Sequence, residues 1–340
     1  MNYLSLWENW RDAPNFSGVF SVRGPEGPLF ERCQGLRLRS EGLPCTADTA
    51  FGLASITKMF TGLAVCQRIE SGKLALDTPI WDIIPHDLGI IDRRVTVGHL
   101  LTHTSGIGDY IDEERDDVMA RLRALYARYP VYLWERLDYY LPMMTALPPK
   151  FEPGVRYGYC NGGFVLLGLA VEAAAGEPYQ QYVTREIIEA LGLGHTGFYR
   201  ADALPPNTAV GYMDDGAGGL RSNVFSMPII GGADGGLYAT AADLDALWRG
   251  LFDGKLLGAA MLESFLSPHA ERRQKGASYG LGVYRQEMSG GPAFYAVGGD
   301  FGVDCFTVYF PHRGITASYL SNIELETGLL SGLIAGLSAG

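Results

Sequence analysis

The sequence predicts an α+β fold: an antiparallel sheet flanked by helices, formed from both chain termini, with an inserted all-helical domain. Three observations carry this expectation. Short β-rich runs open and close the 340-residue chain. The segment between them has helical patterning, frequent Gly and Pro punctuation and few alternating runs. An unusually apolar helix follows the first β-rich runs, where it can cover one face of a sheet. The sheet domain is expected over 1–77 and 245–340 and the helical domain over 78–244, with a cleft between them.

In chain order, "SGVFSVR" (17–23) and "PLFERCQGLRLR" (28–39) read as two strands joined by the turn "GPEG". A helix follows from about Ser55 to Ser71, with Gly72 as its stop. Met59, Phe60, Leu63, Cys66 and Ile69 recur there at helical spacing. In the tail, "SYGLGVYRQ", "AFYAVGG", "DCFTVYF" and "GITASYLS" are four β-rich runs separated by turn signals, and a last helix is expected over 325–337.

Composition narrows the function classes. Lys and Arg total 27 against 38 Asp and Glu, a formal net charge of −11, which argues against nucleic acid or an anionic membrane as partner. The five cysteines, Cys33, Cys45, Cys66, Cys160 and Cys305, are scattered and form no C-x-x-C pair, so reduced thiols are expected. The first residues, "MNYLSLWENWRDAPNF", carry early charges and no apolar core of a signal peptide. "FVLLGLAVEAAAG" and "GLLSGLIAGLSAG" are too short to span a bilayer. The expectation is a cytoplasmic protein.

The chemistry centres on "FGLASITKMF" (51–60). Ser55 and Lys58 stand one helical turn apart on one face. A serine hydroxyl is a poor nucleophile until something takes its proton, and a lysine amine does so once its pKa is lowered. A serine at a helix start also has free backbone N–H groups near an attacked carbonyl oxygen. Serine is equally a favoured N-cap, but a solvated lysine would be out of place on so apolar a helix. A second element, "FEPGVRYGYCNGGFVLLG" (151–168), places Tyr159 and Asn161 in a loop before an apolar helix. Tyr159 offers a phenol as second base or proton shuttle. Asn161 offers donor and acceptor to a substrate amide or to the lysine, or caps the helix that follows.

Taken together these stretches resemble the serine β-lactamase and penicillin-binding-protein superfamily, in its class C and DD-peptidase branch. "ASITKMFTGLAVCQRIESGKLALDTPI" resembles the nucleophile helix, "VTVGHLLTHTSGI" (95–107) an "LLTHTSG" segment, "FEPGVRYGYCNGG" the Y-x-N motif and "GGLYATAADLDALW" (235–248) a further segment of that branch. The resemblance implies Ser55 as nucleophile, Lys58 as proton acceptor, Tyr159 as the partner in proton transfer and Asn161 on the acyl side of the substrate. It implies no cofactor and no metal.

The third motif of that family, K-T-G or H-x-G on a strand edging the cleft, matches "AVGGDFGVD" (296–304) with Val297 at the cationic position. Gly298 and Gly299 fit. The N–H of Asp300 is expected to join that of Ser55 as an oxyanion hole. A valine cannot bind a substrate carboxylate, so penicillins and cell-wall peptides become poor candidates. Asp300 could favour a cationic group on the substrate, although a turn aspartate is the simpler reading.

His99 and His103, spaced i, i+4, have no third metal ligand nearby and read as core and turn residues. The run "DYIDEERDD" (109–117) reads as a solvated helix face. Tyr126, Tyr129, Tyr132, Trp134, Tyr139 and Tyr140 read mostly as core, with one or two lining the site. "GGADGG" (231–236) lacks the lysine of a phosphate-binding loop. The expected function is a serine hydrolase acting on small esters or amides through an acyl-Ser55 intermediate, with esterase first. An acyltransferase, a D-amino-acid peptidase or amidase, and a non-catalytic binding protein on the same scaffold are the alternatives.

Overall fold

The computed structural model describes residues 3–8, 15–271 and 276–325. The helix expected over 325–337 falls almost wholly outside them.

An eight-stranded antiparallel sheet organises the molecule. Its strand order is Gly27–Gln34, Gly18–Gly24, Ile315–Ser321, Val303–Phe310, Ala293–Asp300, Tyr284–Gln286, Ala277–Tyr279 and Ala270–Glu271. The Gly18–Gly24 and Ile315–Ser321 strands, far apart in sequence, are neighbours in it, with Val19 opposite Leu320 and Val22 opposite Ala317. The Gly18–Gly24 strand is buried on both faces, so helices cover the sheet on both sides.

Two strands differ from expectation, each at a glycine. The second strand stops at Gln34 because Gly35 turns the backbone to φ +76°, and Leu36–Leu38 pairs instead with Leu43–Pro44. "SYGLGVYRQ" folds into two strands, Ala277–Tyr279 and Tyr284–Gln286, around a turn with Gly282 at φ +124°.

The helix expected at Ser55 begins as a single 3-10 turn, Ala54–Ile56, and continues as Thr57–Glu70. Every residue from Thr57 to Cys66 is buried, Lys58 included. Gly62 lets it press against the turn before Tyr284, since a Cβ there would lie 2.1 Å from the Leu281 carbonyl oxygen. On the sheet also lies the Ala241–Phe252 helix, N-capped by Thr240. Its buried Trp248 donates from Nε1 to Thr307 Oγ1 at 3.0 Å and stacks on Tyr309.

The middle of the chain holds the helices Val97–Leu101, Val118–Arg128, Asn161–Ala175 and Tyr179–Val183, with long loops between them. A small hairpin, Tyr212–Asp214 with Leu220–Ser222, is added to these. Tyr238–Ala239 pairs with Phe51–Gly52 just before the Ser55 turn. The Asn161–Ala175 helix is apolar all round and buried through Val171, which makes it a core element. All five cysteines are free thiols, and no helix among the described residues is long and apolar enough to cross a membrane.

Because the added methyl of Gly62→Ala meets backbone rather than a movable side chain, the variant is expected to lose about 1–3 kcal/mol of stability. Urea unfolding measures this. An unchanged midpoint would contradict the close approach of the helix to Leu281.

Candidate active site

Ser55 is presented by a strained turn. Leu53 N–H donates to the Leu237 carbonyl at 2.7 Å and anchors the chain. Ala54 then takes φ +41°, a conformation costing on the order of 1 kcal/mol for a residue with a β-carbon. Ser55 follows half-buried at the head of the helix.

Lys58 lies beneath it, 2% exposed. Its Nζ donates to Ser55 Oγ at 2.9 Å, to Asn161 Oδ1 at 2.8 Å and to the Asp234 backbone carbonyl at 2.6 Å. Nζ also sits 5.1 Å from the centre of the Tyr159 ring and 5.8 Å from that of Phe164. Burial pushes the Lys58 pKa down, while the carboxylates of Asp234, Glu113 and Asp109 pull it back up. Those carboxylates are partly restrained themselves: burial raises Asp234, and it lifts Asp109 to about 7.

Tyr159 closes the other side and hydrogen-bonds to Ser55. Burial and the nearby Glu113 carboxylate hold its phenol well above the usual value, so it stays protonated at neutral pH. His103 fixes its position. The His103 ring packs 4.4 Å from the Tyr159 ring, and Nδ1 accepts from the Cys160 N–H at 3.1 Å. His99 instead closes a capping box with Thr96 at the start of Val97–Leu101. The helix ends before His103, so the two histidines share no helical face, and the described residues contain no metal-binding group.

Asn161 is the first residue of its helix rather than the N-cap. Cys160 holds that position and accepts from Gly163 N–H through Sγ at 3.4 Å. The Asn161 amide is left to orient the lysine through Oδ1, and Nδ2 donates to Glu113 Oε1 at 3.0 Å and the Ile111 carbonyl at 3.3 Å. Asp109 holds the helix start, accepting from Asn161 N–H at 2.7 Å and Gly162 N–H at 2.9 Å.

The strand Ala293–Asp300 passes beside Ser55. A Cβ on Gly298 would lie 2.2 Å from the Leu53 carbonyl oxygen and 3.0 Å from Ser55 N, so only glycine fits. Register decides which groups face the cleft. Asp300 and Val303 flank the two-residue turn Phe301–Gly302, and a pair in that position exchanges its backbone hydrogen bonds. Pairs alternate, so the Gly299 N–H points away from Val303–Phe310 toward the strand's other edge. That edge is open, because Tyr284–Gln286 pairs only with Ala293–Tyr295. Gly299 has nothing within 4 Å of a Cβ built on it. Two expectations change as a result. The Asp300 N–H is occupied within the hairpin. Val297 lies on the opposite face of the strand from Gly298, and the buried Ala296 shares the face toward Ser55. Neither residue carries charge.

Asp300 is a turn residue whose Oδ1 accepts from Phe301 N–H at 2.8 Å, and it also lines a pocket near the turn that presents Ser55. Of the tyrosines singled out in the sequence, Tyr126 and Tyr140 line this pocket, whereas Tyr132 and Tyr139 are exposed. Residues 109–117, expected as a solvated helix face, instead form a loop that buries Asp109 and Tyr110 and brings Glu113 to Asn161, and sequence reasoning also missed Asp234. The signal for Asp234 was its setting in "GGADGG", where a Cβ on Gly231 would lie 2.4 Å from Gly236. Four glycines fold that loop tightly enough to turn a carbonyl onto Lys58.

A sequence profile of the family described as Beta-lactamase matches residues 12–331. A penicillin binding protein from Bacillus halodurans superposes with a TM-score of 0.87 at 34% identity, covering 100% of this chain and 99% of that one. Penicillin-binding protein 4 of Amycolatopsis lactamdurans is 26% identical over 332 residues, 92% of this chain and 82% of its own. Esterase EstB of Burkholderia gladioli is 35% identical over 190 residues, which is 55% of this chain. The chain spans about half the length of two curated relatives it matches, 54% and 47%. A profile that runs over nearly the whole chain, and a solved relative that shares its fold end to end, place this protein in the beta-lactamase family.

Proposed function

We propose that this protein is a serine hydrolase that forms an acyl-enzyme at Ser55 from small esters or amides, with esters as its main substrates. The observation that carries the reading is the 2.9 Å contact between Ser55 Oγ and the Nζ of a lysine whose burial favours the neutral amine. Lys58 acts as the base, because burial lowers its pKa while that of Tyr159 is raised.

Neutral Lys58 takes the Ser55 proton as Oγ bonds to the carbonyl carbon, and the carbonyl π electrons move to oxygen. The oxyanion is held by the N–H groups of Ser55 and Gly299, the strand group that faces the open edge. The proton passes from Lys58 by way of the Tyr159 phenol to the leaving oxygen or nitrogen as its bond to carbon breaks. Water then attacks the ester at Ser55 by the same route in reverse. Asn161 and the Asp234 carbonyl act through Lys58 and position it. Esters come first because their leaving groups demand less protonation than amines do. The resemblance to an esterase over 190 residues supports that order. Transfer of the acyl group to an alcohol would use the same intermediate.

A fluorophosphonate probe is expected to add to Ser55 in the wild-type protein and not in Ser55→Ala, read by peptide mass. Ser55→Ala is expected to abolish p-nitrophenyl butyrate hydrolysis. No adduct on the wild type, or an unchanged rate in the variant, would refute the hydrolase reading.

Lys58→Ala should lower kcat by about 10²–10⁴-fold. In the wild type kcat/KM should rise with pH as Lys58 loses its proton and level off below the ordinary lysine value of 10.5. That limb should vanish in Lys58→Ala. A wild-type profile still rising beyond pH 10.5 would show that burial does not prepare the amine.

A further inference from the structure

Near the turn that presents Ser55 lies a pocket open to solvent, with a cavity volume of about 50 Å³. The glycine loop around Asp234 connects it to the nucleophile's surroundings. Asp234 gives its backbone carbonyl to Lys58 and turns its side chain toward the pocket, and Gly235 packs on the Ala54 carbonyl. The character of the lining is unusual for a site near a serine nucleophile. Two carboxylates, Asp234 and Asp300, stand among the tyrosines Tyr110, Tyr126, Tyr140 and Tyr238, and no lining residue is Lys, Arg or His.

Each carboxylate is only partly satisfied. Asp234, 8% exposed, accepts from the Tyr110 hydroxyl. Asp300 accepts from Phe301 N–H through one oxygen. Lys58 Nζ bonds to the Asp234 backbone carbonyl rather than to its carboxylate, so the two interact through space without a direct ion pair. Burial pushes Asp300 up to about 7, and the negative charges of Asp234 and Glu113 add to this. Tyr140 supplies an independent indication of a ligand. It is 4% exposed and lines the pocket, yet among the described residues its hydroxyl has no hydrogen-bond partner. The hydroxyl is not itself wholly buried and opens on the pocket, where a ligand group can replace water as its partner.

An occupant suited to these walls carries positive charge, several N–H donors and a short apolar stem. A protonated primary amine gives three donors. Tyrosine faces add cation–π attraction as water leaves. A substrate carboxylate would meet like charge on two sides.

We propose that this pocket receives an acyl group bearing a protonated primary amine, with the ammonium held by Asp234, Asp300 and the Tyr140 hydroxyl. The proposal rests on the acyl-enzyme reading of Ser55 for the term "acyl group". The recognition of an alkylammonium does not depend on it, so the two can be tested apart.

Binding is read first, without turnover. Ser55→Ala protein is titrated by calorimetry with n-hexylamine hydrochloride and with n-hexanol near pH 7. The ammonium is expected to bind at least about tenfold tighter than the alcohol. In the Ser55→Ala background, Asp300→Asn should reduce that preference about tenfold and Tyr140→Phe severalfold. Equal binding of the two ligands, or a preference that survives in both variants, overturns the proposal. Turnover is read second, on wild type, with p-nitrophenyl 6-aminohexanoate against the neutral isostere p-nitrophenyl heptanoate. The amino ester is expected to have the higher kcat/KM by a similar factor. Both esters cleaved at equal kcat/KM would refute the pocket assignment and leave the hydrolase reading intact. Preferential ammonium binding with neither ester cleaved and Ser55 unlabelled would refute the hydrolase reading and leave the pocket intact.

Discussion

Lys58 is buried to 2% exposure, and the three atoms its Nζ touches are a hydroxyl, a side-chain amide and a backbone carbonyl. Among the described residues no carboxylate lies within ion-pair distance of it. A paired lysine in that position would keep its proton, and a lysine with no acceptors would be too costly to bury. Neutral acceptors at about 2.6–2.9 Å satisfy the amine while leaving it free to lose a proton. This arrangement needs three separate parts of the chain at one point: the helix start at Ser55, the start of the Asn161–Ala175 helix and the glycine loop around Asp234. Much of the surrounding architecture fixes those three parts. Asp109 pins the Asn161 helix start, His103 pins the loop that carries Tyr159, and Leu53 is tied to Leu237 next to the glycine loop.

Close backbone approach is the second constraint. Gly62 brings the helix onto the turn at Leu281, and Gly298 brings the strand onto the Ser55 turn. Ala54 absorbs the misfit between strand and helix in its own backbone. Strain held there is compatible with a stable protein because the apolar core on both sides of the sheet over-determines the turn. The pocket near that turn is lined by acidic and aromatic side chains.

Much of the site was legible in the chain. Ser55 and Lys58 at i, i+3, with Tyr159 and Asn161 ahead of an apolar helix, identify four groups from separate segments, and the structure brings them within contact of one another. The strand at the cleft was less legible. Two adjacent glycines, Gly298 and Gly299, fit a glycine motif in either of two frames, and the frame changes which N–H groups and which side chains face Ser55. The choice is made by the turn at Phe301–Gly302, which commits Asp300 to Val303. Tyr126 and Tyr140 were similarly ambiguous. An aromatic run of that kind packs a core and lines a pocket with the same residues.

By itself the sequence pointed to the family and to the residues expected to carry its chemistry. Glycine and apolar patterning fix where the helices and strands can form, and a serine one turn before a lysine on a buried helix restricts what that lysine can do. Only the tertiary structure decided the surroundings of Lys58 and the lining of the neighbouring pocket. Those depend on distances among residues far apart in the chain: Lys58 to Asp234, Asp109 to Asn161, and Tyr110 to Asp234. Electrostatic interactions depend on separation and burial in space, and linear spacing carries no information about either across such gaps.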